Sequence, residues 1–260
     1  MSKKRVFLFD MDGTLTPPRK SIEQPVIEAL LKLTKIGKVG VVTGSDYDYV
    51  IEQFGAALKI LDKDKVDILP CNGTKKYVAE NGKYSLEYQV DMIKTLGRDK
   101  YNAILFVCSQ WQNVIMNRWP TLPYTGTFLQ FRGSLLNWCP IGRSANHMQR
   151  KEWVECDNKH SIRKIYADVL ESRIFDLGIA ATEALGGATS VDVYPVGWDK
   201  THAISHYRND DVFFVGDKCQ PGGNDFQIYK ALKEKGRSFE TANPSETCEI
   251  IKNFLEKYEE

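Results

Sequence analysis

No pair of cysteines in this 260-residue chain is close enough to form a CxxC motif. The nearest two of the six, Cys139 and Cys156, stand 17 positions apart (156 − 139). That excludes a CxxC metal or redox centre, and a chain this long needs no disulfide staples. Reduced thiols in a cytoplasmic protein are expected. Long apolar runs are missing as well. Only the short stretch Arg5 to Phe9 precedes the acidic interruption at Asp10. A secretory core takes roughly 7–15 apolar residues and a membrane span about 20, so neither a targeting segment nor a membrane role is expected. An excess of one charge is lacking too: 35 Lys plus Arg face 34 Asp plus Glu, a net charge of +1. Nothing global drives nonspecific binding to nucleic acid or membranes. Internal repeats and low-complexity tracts are absent.

What is present is ordinary globular material, 42% apolar and 27% charged, long enough for one large or two modest domains. Val6 to Phe9 reads as a buried strand that stops at an acidic turn. Ile22 to Leu33 has helical apolar spacing, Val39 to Val42 is a second strand, and a helix follows from Asp46 to about Phe54. Strand and helix alternating with short connections predict a parallel, doubly wound sheet. The same grammar returns late, with strands at Val191–Tyr194 and Val212–Val215 and helices at Lys200–Tyr207, Gln227–Glu234 and Glu246–Lys257. The middle differs. Asn81-Gly82 between Tyr77–Glu80 and Tyr84–Gln89 is a strong hairpin signal. Strand-like runs at Ala103–Cys108, Thr127–Phe131 and Leu135–Cys139 predict an antiparallel sheet, with a helix around Ile162–Arg173. The reading is an α/β fold. A doubly wound core of residues 1–81 and 188–260 carries an inserted α+β cap domain of residues 82–187. Asn81-Gly82 and Gly186-Gly187 are the expected hinges.

Three apolar strands end in chemistry: Asp10-Met11-Asp12-Gly13-Thr14 after the first, Thr43 after the second, Asp217 after the third. Ligand sites of open α/β sheets lie beyond the carboxyl ends of the strands. Carboxylates converging there make a hard oxygen site of the kind Mg²⁺ prefers, and Lys200 begins a helix near the same end. One such Asp alone would be a turn or helix cap; the coincidence of three with a lysine favours a site. Asp10 and Asp12, two apart in an extended segment, point the same way. One carboxylate suits nucleophilic attack on phosphorus and the other proton transfer. Gly13 is expected to bring a backbone amide close to phosphate. Asp225, in the loop after Asp217, is a further possible metal ligand. His202 and His206 have helical metal-ligand spacing without a third ligand, and packing roles are expected of them.

From Lys100 to Lys151 there is no Asp or Glu, while Arg118, Arg132, Arg143 and Arg150 all fall there. Arginine grips phosphate bidentately. A small phosphorylated ligand is the preferred partner of this stretch. Single-stranded nucleic acid stacking on the interleaved aromatics is the other reading.

The segment Phe9-Asp10-Met11-Asp12-Gly13-Thr14-Leu15-Thr16 resembles the nucleophile signature of the haloacid dehalogenase superfamily. Taken whole, the chain resembles the eukaryotic-type phosphomannomutases within it. Val42-Thr43-Gly44-Ser45-Asp46, Phe131-Arg132, Leu136-Asn137, Pro140 to Ser144, Asp192-Val193, Gly197 to Lys200, Gly216-Asp217 and Pro221 to Phe226 carry that resemblance in order. It implies Asp10 as nucleophile and Mg²⁺ ligand. Asp12 would be the general acid and base, lending its backbone carbonyl to the metal, and Asp217 the third metal ligand. Thr43 and Lys200 would hold the transferring phosphoryl group. Arg19, Arg132, Arg143 and Arg150 would bind substrate, with Ser190 and Asp192 near the sugar and its distal phosphate. The implied reaction interconverts mannose 6-phosphate and mannose 1-phosphate through a hexose 1,6-bisphosphate that also serves as activator, feeding GDP-mannose synthesis. A homodimer through the cap domains is likewise implied. Two departures stand out. Tyr229-Lys230-Ala231-Leu232 replaces a turn that helps relatives hold a second cation, and Pro123-Tyr124-Thr125 replaces basic residues.

Three functions compete: the mutase, a Mg²⁺-dependent sugar-phosphate phosphatase of the same superfamily, and a catalytically inactive sugar-phosphate-binding protein. The complete set Asp10, Asp12, Lys200 and Asp217 argues against the last. The arginines favour the first over the second, because a mutase must hold a distal phosphate and exclude water.

Overall fold

The computed structural model describes residues 3–258. In chain order the first elements are β1 (Arg5–Asp10), α1 (Gln24–Ile36), β2 (Lys38–Val42), α2 (Tyr47–Phe54), β3 (Val66–Leu69), β4 (Lys75–Glu80) and β5 (Lys83–Gln89). Next come α3 (Met92–Leu96), α4 (Arg98–Arg118), β6 (Leu129–Phe131), β7 (Leu136–Trp138), α5 (His147–His160), α6 (Ile162–Asp176), β8 (Ala181–Gly186) and β9 (Ser190–Pro195). A 3-10 helix at Lys200–Tyr207 leads to β10 (Asp211–Gly216), α7 (Phe226–Lys233), β11 (Ser238–Glu240) and α8 (Pro244–Tyr258). These elements form two compact units, residues 1–89 with 197–260, and residues 90–196.

The first unit is built on a sheet of order β11-β10-β1-β2-β3-β4-β5. Its strands are parallel from β11 through β3, and the β4–β5 hairpin closes it antiparallel. Strands buried on both faces read as unbroken apolar runs, and β1 shows why. Phe7 and Phe9 pack on one face with residues of α1, α2 and α8, while Val6 and Leu8 pack on the other with Ala203, Tyr207, Ile228 and Leu232. Pro25 in the first turn of α1 has the fixed φ that a helix start wants. Asp46 caps α2, its carboxylate accepting the Tyr47 N–H at 2.8 Å.

The second unit holds an antiparallel sheet of order β6-β7-β9-β8. Leu136, Trp138, Val191 and Val193 are buried, as are Ile104 and Cys108 of α4 and Leu170 and Ile174 of α6. Asn137 lies opposite Asp192 in the register, on the alternate positions.

The expected α/β class is seen, and four sequence-based assignments change. The units divide at 89/90 and 196/197 rather than at 81/82 and 187/188. β5 belongs to the first sheet through β4, and β9, read as a core strand, pairs with β7 and β8 in the second. Ala103–Cys108 is helical, inside the 21-residue α4, because its buried Ile104, Val107 and Cys108 recur at helical spacing. α5 has no anticipated counterpart, having only Trp153 and Asp157 buried. Finally, neither expected hinge lies at a boundary. Asn81-Gly82 turns the β4–β5 hairpin and Gly186-Gly187 opens the β8–β9 turn, each inside one unit.

Candidate active site

Parallel strands β1 and β10 end side by side, and their carboxyl ends deliver Asp10 and Asp217. Asp225, just before α7, joins them. One carboxylate oxygen from each of the three lies within 4.8 Å of the others. Two glycines make the room. A Cβ at Gly13, whose φ is +93°, would collide with Asp217, and a Cβ at Gly216 would stand 2.6 Å from an Asp225 oxygen. The Gly13 amide itself donates to Thr16 O at 2.7 Å. Contrary to the sequence reading, the glycine serves the carboxylates and its N–H is engaged within the turn.

Lys200 is the counter-charge. It is 1% exposed, and its ammonium bridges Asp10 Oδ1 and Asp225 Oδ1, the latter at 2.5 Å. Burial pushes its pKa down, but the two carboxylates outweigh that and hold it above the ordinary value. Burial lifts the Asp10 carboxyl to about 8, with Lys200 pulling it down and Asp225 and Asp217 pushing it up. Burial also raises Asp217, against Lys218. Three clustered carboxylates thus face one buried ammonium. Asp217 Oδ1 is buried without a hydrogen-bond partner, which in a low-dielectric site is costly. An all-carboxylate donor set with an orphaned oxygen fits a hard divalent cation such as Mg²⁺.

Asp12 is half-buried beside this cluster and outside the carboxylate triad. Its Oδ1 accepts the Arg19 backbone N–H at 2.9 Å and the Tyr49 hydroxyl at 2.8 Å. Burial and the Asp12 charge push the Tyr49 phenol above its usual pKa, so it stays a donor. Arg19 itself is exposed, in the left-handed region at φ +59°. Thr43 is buried after β2, its hydroxyl accepting the Ser45 N–H at 3.1 Å.

In the second unit Arg132, Arg143 and Arg150 each donate to an amide, hydroxyl or carbonyl oxygen. Arg143 Nη1 donates to Asn137 Oδ1 at 3.2 Å, and Asn137 Nδ2 donates to Asp192 Oδ1 at 2.5 Å. Arg132, 5% exposed, reaches Gln130 Oε1 at 3.4 Å. Arg150 donates Nε to Ala145 O, Nη1 to Thr189 Oγ1 and Nη2 to Arg143 O, at 2.7–2.8 Å. Its guanidinium thereby ties the 143–145 loop to the β8–β9 turn. The Ser190 hydroxyl donates to Gly186 O at 2.8 Å, bracing that turn from inside.

Residues 26–257 match the model of the family described as eukaryotic phosphomannomutase. Phosphomannomutases of Schizosaccharomyces pombe and Saccharomyces cerevisiae are 34% and 35% identical to it, covering 97% and 94% of this chain and 95% and 91% of their own. The chain belongs to the eukaryotic phosphomannomutase family. Human phosphomannomutase 1 is similar at 34% over 95% of this chain and 91% of its own. Among solved structures, a Plasmodium falciparum IMP-nucleotidase shares the fold at TM-score 0.67 and 15% identity, over 98% of this chain and 68% of that one.

For this phosphomannomutase-family chain the sequence reading located Asp10, Lys200 and Asp217 as one cluster, with Asp12 beside it. It treated Asp225 as optional, where the carboxylate proves to share Lys200 with Asp10. It missed Tyr49 and Asn137 as partners of Asp12 and Arg143. Neither carries a local signal: Tyr49 reads as the polar side of α2, and Asn137 as one polar position in a short strand. His202 and His206 pack with Tyr88, and His206 Nε2 meets Gly73 O at 2.7 Å.

Proposed function

We propose that the protein interconverts mannose 6-phosphate and mannose 1-phosphate through a phosphorylated Asp10 and a hexose 1,6-bisphosphate. The observation that carries this reading is the buried cluster of Asp10, Asp217, Asp225 and Lys200 in a chain of this family. Asp10 supplies the attacking carboxylate. Lys200 offsets part of the burial that favours the protonated carboxyl, holds it in place, and neutralises the phosphoryl oxygens as they arrive. Asp12 gives a proton to the departing sugar oxygen and takes it back in the reverse transfer. Mg²⁺, held by Asp10, Asp217 and the Asp12 carbonyl, with Asp225 beside them, would polarise the phosphoryl group. Thr43 lines the strand ends, and Arg19 follows the Asp12 turn with its side chain exposed to substrate.

Arg132 and Arg143 bind the phosphate that is not reacting, and Ser190 and Asp192 border the sugar. Arg150 supports them by fixing the loop on which Arg143 stands. The bisphosphate primes Asp10 and is regenerated as the intermediate. Cytoplasmic residence accords with six cysteines that form no disulfide. Dimerisation through the second unit accords with the exposed Phe106, Ile165 and Phe175 of α4 and α6.

Phosphorus NMR with Mg²⁺, mannose 1-phosphate and a trace of hexose 1,6-bisphosphate tests the proposal. A mannose 6-phosphate signal that grows only with the bisphosphate is expected. Inorganic phosphate growing instead would mean a phosphatase, and no change would mean a binding protein.

A further inference from the structure

We propose that Tyr49 is the positioning residue for Asp12, leaving Asp12 Oδ2 as the oxygen that carries the transferable proton. The inference rests on the assignment of Asp12 as proton donor and acceptor made above. Two donors reach one oxygen from unrelated parts of the chain: the Tyr49 hydroxyl from α2 and the Arg19 amide from the loop after β1. A carboxylate oxygen that accepts two hydrogen bonds has both lone pairs engaged. A proton arriving on Asp12 is therefore directed to Oδ2, which takes neither bond. Without the second donor the carboxyl can turn about Cβ–Cγ and present the proton from either oxygen, and the aligned fraction falls.

Tyr49 is itself held firmly. It stands in the first turn of α2, whose start is fixed by the Asp46 cap, and the Lys75 ammonium pairs with Asp46 at 2.8 Å. The Asp12 backbone is braced from the other side by its bridge to Thr16, whose amide and hydroxyl both donate to Met11 O. The carboxylate is thus clamped between a rigid turn and a capped helix. In the transfer the P–O bond to the sugar breaks with its electrons going to the sugar oxygen, while Asp10 forms the new bond to phosphorus. The sugar oxygen takes the proton from Asp12 Oδ2. In the reverse transfer the sugar hydroxyl returns that proton to Oδ2 as its oxygen bonds to phosphorus, and the Asp10 oxygen–phosphorus bond breaks with its electrons returning to the Asp10 carboxylate. Tyr49 keeps its own proton throughout.

Tyr49→Phe keeps the ring and its packing and deletes only the hydroxyl. Two reactions of this variant and of the wild type decide the matter. The first is turnover of mannose 1-phosphate in the presence of the bisphosphate. The second is transfer of phosphate to Asp10 from an aryl phosphate, whose phenolate leaves without needing a proton. We expect kcat on the sugar phosphate to fall about tenfold with KM within about twofold, part of the roughly 10²–10⁴-fold that a placed proton donor supplies. The aryl phosphate reaction is expected to be unchanged. An equal loss on both donors, or no loss on either, would overturn the proposal. If the wild type hydrolyses sugar phosphates instead of isomerising them, the proposed function fails, while the same leaving-group comparison on that hydrolysis still decides the role of Tyr49.

Discussion

Two clusters of polar residues, one in each unit, are built on opposite electrostatic plans. In the first, Asp10, Asp217, Asp225 and Lys200 are ionisable, buried and pressed together, so each group's state depends on its neighbours. In the second, Arg143 and Arg150 rest on an amide, backbone carbonyls and a threonine hydroxyl. A buried carboxylate cluster is costly alone and demands cations, which suits a place where a metal and a transferring phosphoryl group must sit. Guanidinium groups are charged, planar donors suited to gripping an anion in two parallel bonds. Under the proposed function, that contrast separates a site that does chemistry from one that holds.

The largest expected effect breaks the chemical side only. Asp10→Asn removes the proposed nucleophile while keeping shape, so turnover should fall by at least roughly 10⁴-fold with no acid-stable, base-labile phosphoenzyme on radiolabelling. Binding of a sugar phosphate by calorimetry should persist. An active Asp10→Asn enzyme would end the mechanism.

Next in size is a dependence on pH that should be larger in the first unit, with its clustered carboxylates, than in the second, where burial raises the lone Glu183 carboxyl. Asp10 is raised to about 8 and Asp217 is raised as well, from an ordinary value near 3.8. A carboxyl raised in the folded state favours the protonated form. Its contribution to stability is full below the unfolded pKa and is lost as pH climbs through the folded one. In cation-free protein, stability should therefore decline between about pH 4 and about pH 8, and Mg²⁺ should restore it at the upper end. Hydrogen exchange resolved along the chain reads both units at once. A decline of equal size in β7 and β9 as in β1 and β10 would contradict the assignment to the carboxylates.

The same contrast governs what the sequence disclosed. Asp10, Thr43 and Asp217 were legible because each ends an apolar strand of a parallel sheet, a relation local in sequence. Lys200 was legible through its place at a helix start. The Lys200 bridge between Asp10 and Asp225 and the Tyr49 clamp on Asp12 join residues 25 to 190 positions apart, which no local pattern encodes. The second unit was harder still. Short strands β6 and β7 are three residues each, and α4 carries an apolar run that fits either period. Boundaries failed for a related reason: β5 and β9 declare themselves as strands, but only pairing reveals to which sheet they belong.

A smaller effect sharpens the holding side. Arg150→Ala deletes three hydrogen bonds that join the 143–145 loop to Thr189. Each such bond from a charged donor contributes about 1.5–3 kcal/mol net of the exchange with water, and these bonds lie in one half-buried loop, so the loop should loosen without the unit unfolding. KM for the sugar phosphate should rise about tenfold with kcat within about threefold, the pattern of lost ground-state and transition-state binding alike. A fall in kcat with KM unchanged would move Arg150 to the chemical side.

The smallest expected effect tests whether Arg150 needs its helix. Asn146 caps α5 in a reciprocal box: its side chain accepts the Gln149 N–H at 3.0 Å, and Gln149 Oε1 accepts the Asn146 N–H at 2.8 Å. Arg150 sits in the first turn that this box secures. Asn146→Ala should cost about 1 kcal/mol, read as a shift in the urea midpoint at constant slope. Yet Arg150 carries its own bonds to Ala145, Arg143 and Thr189, which lie outside α5. Those bonds should keep the guanidinium in place when the helix start frays, leaving KM within about twofold. If KM rises as far as in Arg150→Ala, the arginine is held by the helix, and its neutral partners are a consequence of that placement.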